Sequence, residues 1–181
     1  MATRNGISRR GFLQGSACAA GAWALNGCGA ARSCKAGSKL NLAVSAAGGQ
    51  GKTNWTAMLK HGNVRIAAMC DVDANMLTDA KAWCQENGFP TDFKTYADYR
   101  KMLETEKGLD AVVVSTPDHT HARAAIQAMK MGCHAYVEKP LVRTIWDARY
   151  FQRVASEYGV VTQMGNHGSA KDGTRRGIEL L

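Results

Sequence analysis

From Leu40 onward, short apolar runs alternate with longer stretches whose apolar residues recur at helical spacing. The runs at 40–45, 64–70, 93–96, 111–115, 134–137 and 160–164 predict strands, most of them rich in Val, Ala and Leu and the one at 93–96 carried by Phe93, Thr95 and Tyr96. Between them, 53–60, 74–87, 99–106, 122–131 and 145–158 predict helices; in 74–87 the stripe is Met76, Leu77, Ala80 and Trp83. Strands that alternate with helices of this length give a parallel sheet with helices on both faces, a doubly wound α/β fold. A last helix starts near Thr174 and is still running at Leu181, because Ile178-Glu179-Leu180-Leu181 carries no stop signal. The expected division is a leader and tether at 1–39, a nucleotide-binding domain at 40–167, and at 168–181 the start of a further α/β domain that the chain lacks. No internal repeat, low-complexity tract or proline-rich linker interrupts this order.

Length and charge narrow the classes. A chain of 181 residues suits one ordinary domain. The net charge of +8 suggests an acidic partner until its placement is considered. Residues 1–39 hold Arg4, Arg9, Arg10, Arg32, Lys35 and Lys39 and no acid, so only +2 belongs to residues 40–181. The basicity is the leader's, and nucleic-acid binding is not expected. The six cysteines form no C-x-x-C pair and have no histidine at zinc-ligand spacing, so no metal site is expected. Cys70 and Cys133, in or beside apolar runs, read as small buried hydrophobes.

The leader has its own signature. Ser8-Arg9-Arg10-Gly11-Phe12-Leu13-Gln14 follows the twin-arginine export pattern except at Gln14, where lysine is usual. The apolar stretch from Gly15 to Leu25 is shorter than the ~20 residues that span a bilayer. A basic start, a short apolar middle and a small-residue end read as a signal for the twin-arginine translocase. Leu25-Asn26-Gly27-Cys28 resembles a lipobox, so two routes stay open: lipidation at Cys28, giving a membrane-anchored lipoprotein, or cleavage near Ala30 or Ala31, giving a periplasmic protein.

After the first strand comes Ala46-Ala47-Gly48-Gly49-Gln50-Gly51. Gly48 and Gly51 occupy the second and third glycine positions of the G-x-G-x-x-G fingerprint, which sits between a strand and a helix. Gly48 leaves room for a pyrophosphate, Gly51 lets the helix approach the strand, and Gly49 and Gln50 lie on the same turn at the helix N-terminus. Alanine stands at the first position; if the turn needs φ > 0 there, Ala46 is strained by about 1 kcal/mol. Twenty residues beyond Gly51, Asp71 ends the second strand, where a carboxylate accepts from the adenosine ribose hydroxyls. It also repels a 2′-phosphate, so NAD is expected in preference to NADP.

Two further segments follow strand ends, where open parallel sheets bind ligands. They are Thr116-Pro117-Asp118-His119-Thr120-His121, and Gly132-Cys133-His134-Ala135-Tyr136-Val137-Glu138-Lys139-Pro140-Leu141. Together with Thr162-Gln163-Met164-Gly165-Asn166 they resemble the signature of the Gfo/Idh/MocA family, over about residues 40–181. The resemblance implies a Rossmann domain and an oxidoreductase that moves hydride between NAD(P) and a sugar or polyol. It implies that Lys139 meets the substrate hydroxyl beside the nicotinamide, that Thr116, Pro117 and His119 line the nicotinamide half with His119 as the second catalytic candidate, and that Glu138 supports them. It makes Lys139–Pro140 a candidate cis peptide and a homo-oligomer the expected full-length state. His121 reads as a helix cap or a solvated side chain, and His134 as structural. Some relatives are glycosidases that use bound NAD transiently, and the family's second domain completes catalysis. A glycosidase and a non-catalytic nucleotide-binding fragment are therefore the alternatives. Export of a folded protein to a compartment poor in free NAD favours a tightly held cofactor.

Overall fold

The computed structural model describes residues 38–180. The leader, including Arg9, Arg10, Cys28 and Cys34, lies outside the described residues. Six strands, β1 (Leu40–Ser45), β2 (Val64–Cys70), β3 (Lys94–Tyr96), β4 (Ala111–Val114), β5 (His134–Glu138) and β6 (Thr162–Gly165), form one sheet. Its order is β3-β2-β1-β4-β5-β6 and every neighbouring pair is parallel. This is the doubly wound order, in which the chain reverses its direction of travel across the sheet between β1 and β4.

The crossovers are α1 (Gly49–Lys60), α2 (Ala74–Glu86), α3 (Tyr99–Thr105), α4 (His121–Lys130) and α5 (Ile145–Tyr158), followed by α6 (His167–Ala170) and α7 (Asp172–Glu179). Successive strand residues point to opposite faces, and each face builds a separate core layer. On one face Ala43, Val112, Val114 and Val137 pack with Met102 of α3, Met129 of α4 and Phe151 of α5. On the other, Leu42, Val44, Met69 and Val113 pack with Trp55 of α1 and Cys84 of α2. A strand buried on both faces has no polar alternation, which is why β4 reads as a plain apolar run and β1 is broken only at Asn41 and Ser45.

Helix starts follow the local chemistry. Asp73 and Asp98 cap α2 and α3 by accepting from the backbone N–H groups of Asn75 and Arg100, both at 2.9 Å. Thr144 caps α5 through the Asp147 N–H at 3.0 Å, and Gly159 ends it at φ 63°. Val160 N–H donates back to Ala155 in that end motif, so β6 begins at Thr162, two residues later than the apolar run predicts. The first helix begins at Gly49, four residues earlier than predicted, because the glycine turn is already its first turn. The helix predicted from Thr174 is α7, which starts two residues earlier and ends at Glu179; the short α6 before it, set off by extended backbone at Lys171 (ψ 140°), is not predicted.

Candidate functional site

The reversal between β1 and β4 leaves a crevice beyond the carboxyl ends of the strands. On its β1–β2 side the chain leaves β1 through Ala46, whose φ of 77° is left-handed backbone, and enters α1 from Gly48 and Gly49. A side chain at Gly51 would run into the Ala46 carbonyl oxygen and would lie 3.4 Å from Ser115 Cβ, so only glycine permits this approach of helix to strand. Gly49, at φ 51°, faces open space. Gly48 offers no side chain to cap α1, and the first-turn N–H groups point out of the helix end. From below, Trp55, fully buried, donates its Nε1–H to the Ala47 carbonyl at 2.9 Å.

Asp71 reaches under the same turn. Its Oδ2 accepts from the N–H groups of Ala47 (2.8 Å) and Gly48 (3.3 Å), and its Oδ1 accepts from Asp73 N–H (3.1 Å). The acid singled out as a ribose acceptor therefore also braces the glycine turn, a contact that the spacing in the sequence does not reveal. Oδ1, which accepts only once, keeps lone-pair capacity for a ligand hydroxyl. Next to it, burial, then the charges of Asp71 and Asp98, push the Cys70 thiol up to about 12, so this cysteine stays protonated and inert.

Asp71, Val72, Tyr99, Thr116, Pro117 and His119 share one cavity of about 420 Å³ that runs from the end of β2 to the loop after β4. Val72 is 92% exposed on its rim. The Thr116 hydroxyl is buried without a hydrogen-bond partner, a donor that a ligand's polar group would satisfy. A Gly-turn with open amides, an acid at the end of β2 and this orphaned hydroxyl fit a dinucleotide laid across the reversal, with the adenosine toward Asp71 and the other end toward β4 and β5.

The β4–β5 side is built from side chains. Glu138, 5% exposed, accepts at Oε1 from Asn54 Nδ2 (2.9 Å) and at Oε2 from the backbone N–H of Lys139 (3.2 Å). Asn54 also donates to Ser115 Oγ (3.0 Å) and accepts from Gln50 Nε2 (3.2 Å), so one buried amide links the glycine turn, β4 and β5. Gly165 makes room for Glu138: a Cβ there would sit 2.5 Å from Oε1. The Glu138 charge, after burial, raises the Tyr136 phenol above its ordinary range. Lys139 is exposed at the end of β5, outside the lining of the cavity, and Lys139–Pro140 is cis.

The pattern of the sequence does not single out Asn54 or Ser115. Asn54 is one polar residue in an amphipathic helix, and only the packing of α1 against β4 turns it inward. The reading of His121 as a cap or a solvated side chain is overturned. The ring is 1% exposed, with Nδ1 2.7 Å from the Pro140 carbonyl oxygen and Nε2 2.6 Å from that of Thr116. The short 3-10 turn Asp118–Thr120 tilts the start of α4 so that its first side chain points between β4 and β5. His134 accepts at Nδ1 from Val161 N–H (3.0 Å), a structural contact between neighbouring strands. Among the described residues no cluster of three His, Cys, Asp or Glu side chains could hold a metal ion.

Comparison with known proteins agrees with this geometry. Residues 40–166 match the family described as "Oxidoreductase family, NAD-binding Rossmann fold". A glycosyl hydrolase family 109 protein of Stenotrophomonas maltophilia is 34% identical over 101 residues, 53% of this chain and 22% of that protein. The 1,5-anhydro-D-fructose reductase of Ensifer adhaerens is 33% identical over 100 residues, 54% of this chain and 29% of the reductase. The scyllo-inositol dehydrogenase of Lactobacillus casei, solved with NAD(H) and scyllo-inositol, shares the fold at a TM-score of 0.67 and 22% identity, over 78% of this chain and 40% of that one. The chain thus spans less than half the length of each. With the six-stranded order, the glycine turn and the E-K-P turn in register, the chain belongs to the Gfo/Idh/MocA oxidoreductase family, and residues 40–166 are its NAD-binding Rossmann domain.

Proposed function

We propose that this domain serves an exported oxidoreductase that acts on a sugar or polyol, holds NAD tightly in preference to NADP, and uses Lys139 at the reacting end. The observation that carries the reading is the Gln50–Asn54–Glu138 chain of hydrogen bonds, which ties the glycine turn to the backbone of Lys139. Gly48, Gly49, Gln50 and Gly51 would hold the pyrophosphate, Asp71 the adenosine ribose, and Thr116 and Pro117 the nicotinamide side. When bound, NAD supplies the site's hydride acceptor or donor. Glu138, through Asn54 and the Lys139 N–H, holds the turn that presents the Lys139 ammonium. That ammonium would donate to the substrate's alcohol oxygen and steady the negative charge developing on it. His119, exposed on the loop after β4 and lining the cavity, would be the second catalytic group.

The glycosyl hydrolase relative favours a second reading, in which oxidation and reduction cancel within one turnover and the net result is cleavage of a glycoside. Both readings suit a compartment where NAD is scarce and the cofactor must stay bound. The Arg9-Arg10 motif supports export, with Cys28 lipidation as one route to retention at the membrane. Homo-oligomerisation belongs to the same proposal for the longer protein.

The experiment compares wild type with Lys139→Ala, in the longest form of the protein that its source encodes, on a panel of sugars, polyols and aryl glycosides. Loss of one donor to a developing oxyanion should lower turnover by about 10²–10³-fold with NAD affinity unchanged. A keto-sugar or lactone identifies the oxidoreductase; released aglycone without net NADH identifies the glycosidase. Full activity in the variant would remove Lys139 from the mechanism.

A further inference from the structure

His121 combines three properties that a helix-start residue seldom has together. It is fully buried, it opens α4, and both its ring nitrogens meet backbone carbonyls of loops that flank it in space. The carbonyls belong to Thr116, at the exit of β4, and to Pro140, at the exit of β5. Adjacent parallel strands are held together along their length by the ladder from Ala111↔His134 to Val114↔Val137. Beyond Val114 and Val137 that ladder stops, and the two loops part. The imidazole is the hydrogen-bonding bridge across that gap. Both carbonyl oxygens lie within hydrogen-bond distance of the ring, so the separation of its two nitrogens sets the spacing of the loops.

We propose that His121 is a positioning residue, which staples the Thr116–Pro117 loop to the Lys139–Pro140 turn and sets the width of the nicotinamide end of the site. The inference rests on the reading above for which end of the cofactor lies there. The staple acts on the mouth opposite Asp71, so its removal should leave the adenosine half intact. Hydrogen bonds of this kind contribute about tenfold each in equilibrium terms.

The test uses the whole 181-residue chain, with His121→Leu and His121→Gln, and two readouts. In amide hydrogen exchange, His121→Leu should raise exchange about tenfold at Asp118–Thr120 and at Lys139 and Leu141. The amides of Ala47 and Gly48, held by Asp71, should not change. In binding, wild type should hold NAD more tightly than ADP-ribose, which lacks the nicotinamide. His121→Leu should bring NAD down to the affinity of ADP-ribose and leave ADP-ribose itself unchanged. His121→Gln, which keeps a donor but not the ring's span, should fall between, and it carries both measurements if the leucine variant does not fold. Exchange that rises evenly across the chain, exchange unchanged in both loops, or equal weakening of NAD and ADP-ribose would each overturn the staple. Equal affinity of wild type for the two ligands would overturn it as well. If wild type binds neither nucleotide, the cofactor reading fails, and the exchange pattern alone decides the role of His121.

Discussion

The two sides of the crevice meet the same ligand geometry by different means. On the β1–β2 side the work falls to backbone: a left-handed Ala46, a Gly51 too close to the Ala46 carbonyl for any side chain, and open amides at the start of α1. On the β4–β5 side it falls to buried side chains that reach across the sheet, with Asn54 on Glu138 and Ser115, and His121 on Thr116 and Pro140. A backbone-built half tolerates little change at a few glycines and little consequence elsewhere. A side-chain-built half spreads its dependence over residues far apart in sequence, and each removal leaves a buried partner unsatisfied.

The sharpest way to break this contrast is at Gly51. Gly51→Ala should destabilise the domain by about 1–3 kcal/mol, as overpacked sites do, and should abolish NAD binding in calorimetric titration. A well-folded variant that still binds would show that the helix can move away and that the backbone half is less rigid than its geometry. On the other side, Asn54→Leu strands the Glu138 carboxylate and should lower stability to thermal melting by about 1–3 kcal/mol. The double variant Asn54→Leu with Glu138→Leu should lose less than the sum of the two single losses, a coupling of about 0.5–3 kcal/mol. Strict additivity would mean that the network does not act as one unit.

Asp71 belongs to both modes, since its carboxylate braces the turn and remains available to a ribose. Asp71→Asn removes the charge and keeps an acceptor for Ala47. It should narrow the preference for NAD over NADP about tenfold, or 1.4 kcal/mol, in paired titrations. An unchanged ratio would make Asp71 a brace alone. The smallest effect is expected at Ala46→Gly, which relieves left-handed alanine and should stabilise the domain by about 1 kcal/mol. A loss of stability there would show that Ala46 is held by contacts that outweigh its φ.

The same contrast explains what could be read from the chain beforehand. The parallel sheet was legible because β1, β2 and β4 are buried on both faces over most of their length and so appear as apolar runs with few polar breaks, such as Asn41 and Arg65. The turn that Gly48, Gly51 and Asp71 build was legible because it is local: its members lie within a single strand–turn–helix–strand passage. Asn54 and Ser115 were not, since their partners are 84 and 61 residues away from Asn54 and no pattern marks a polar residue that packing alone turns inward. His121 was misread for the same reason. A histidine at the start of a helix looks solvated until the 3-10 turn before it aims the ring between two strands. The terminal segment hid α6, because the four residues His167–Ala170 are too few to show a helical period.

The most direct test of the central claim, that NAD lies across both halves at the β1–β4 reversal, is a titration of NAD into the 15N-labelled chain followed by amide chemical shifts. The account expects saturable shifts at Ala47–Gly51 and Asp71–Val72 on one side, and at Thr116, Asp118–Thr120 and Glu138–Lys139 on the other, all with one affinity. Shifts confined to one side, or none that saturate, would contradict it.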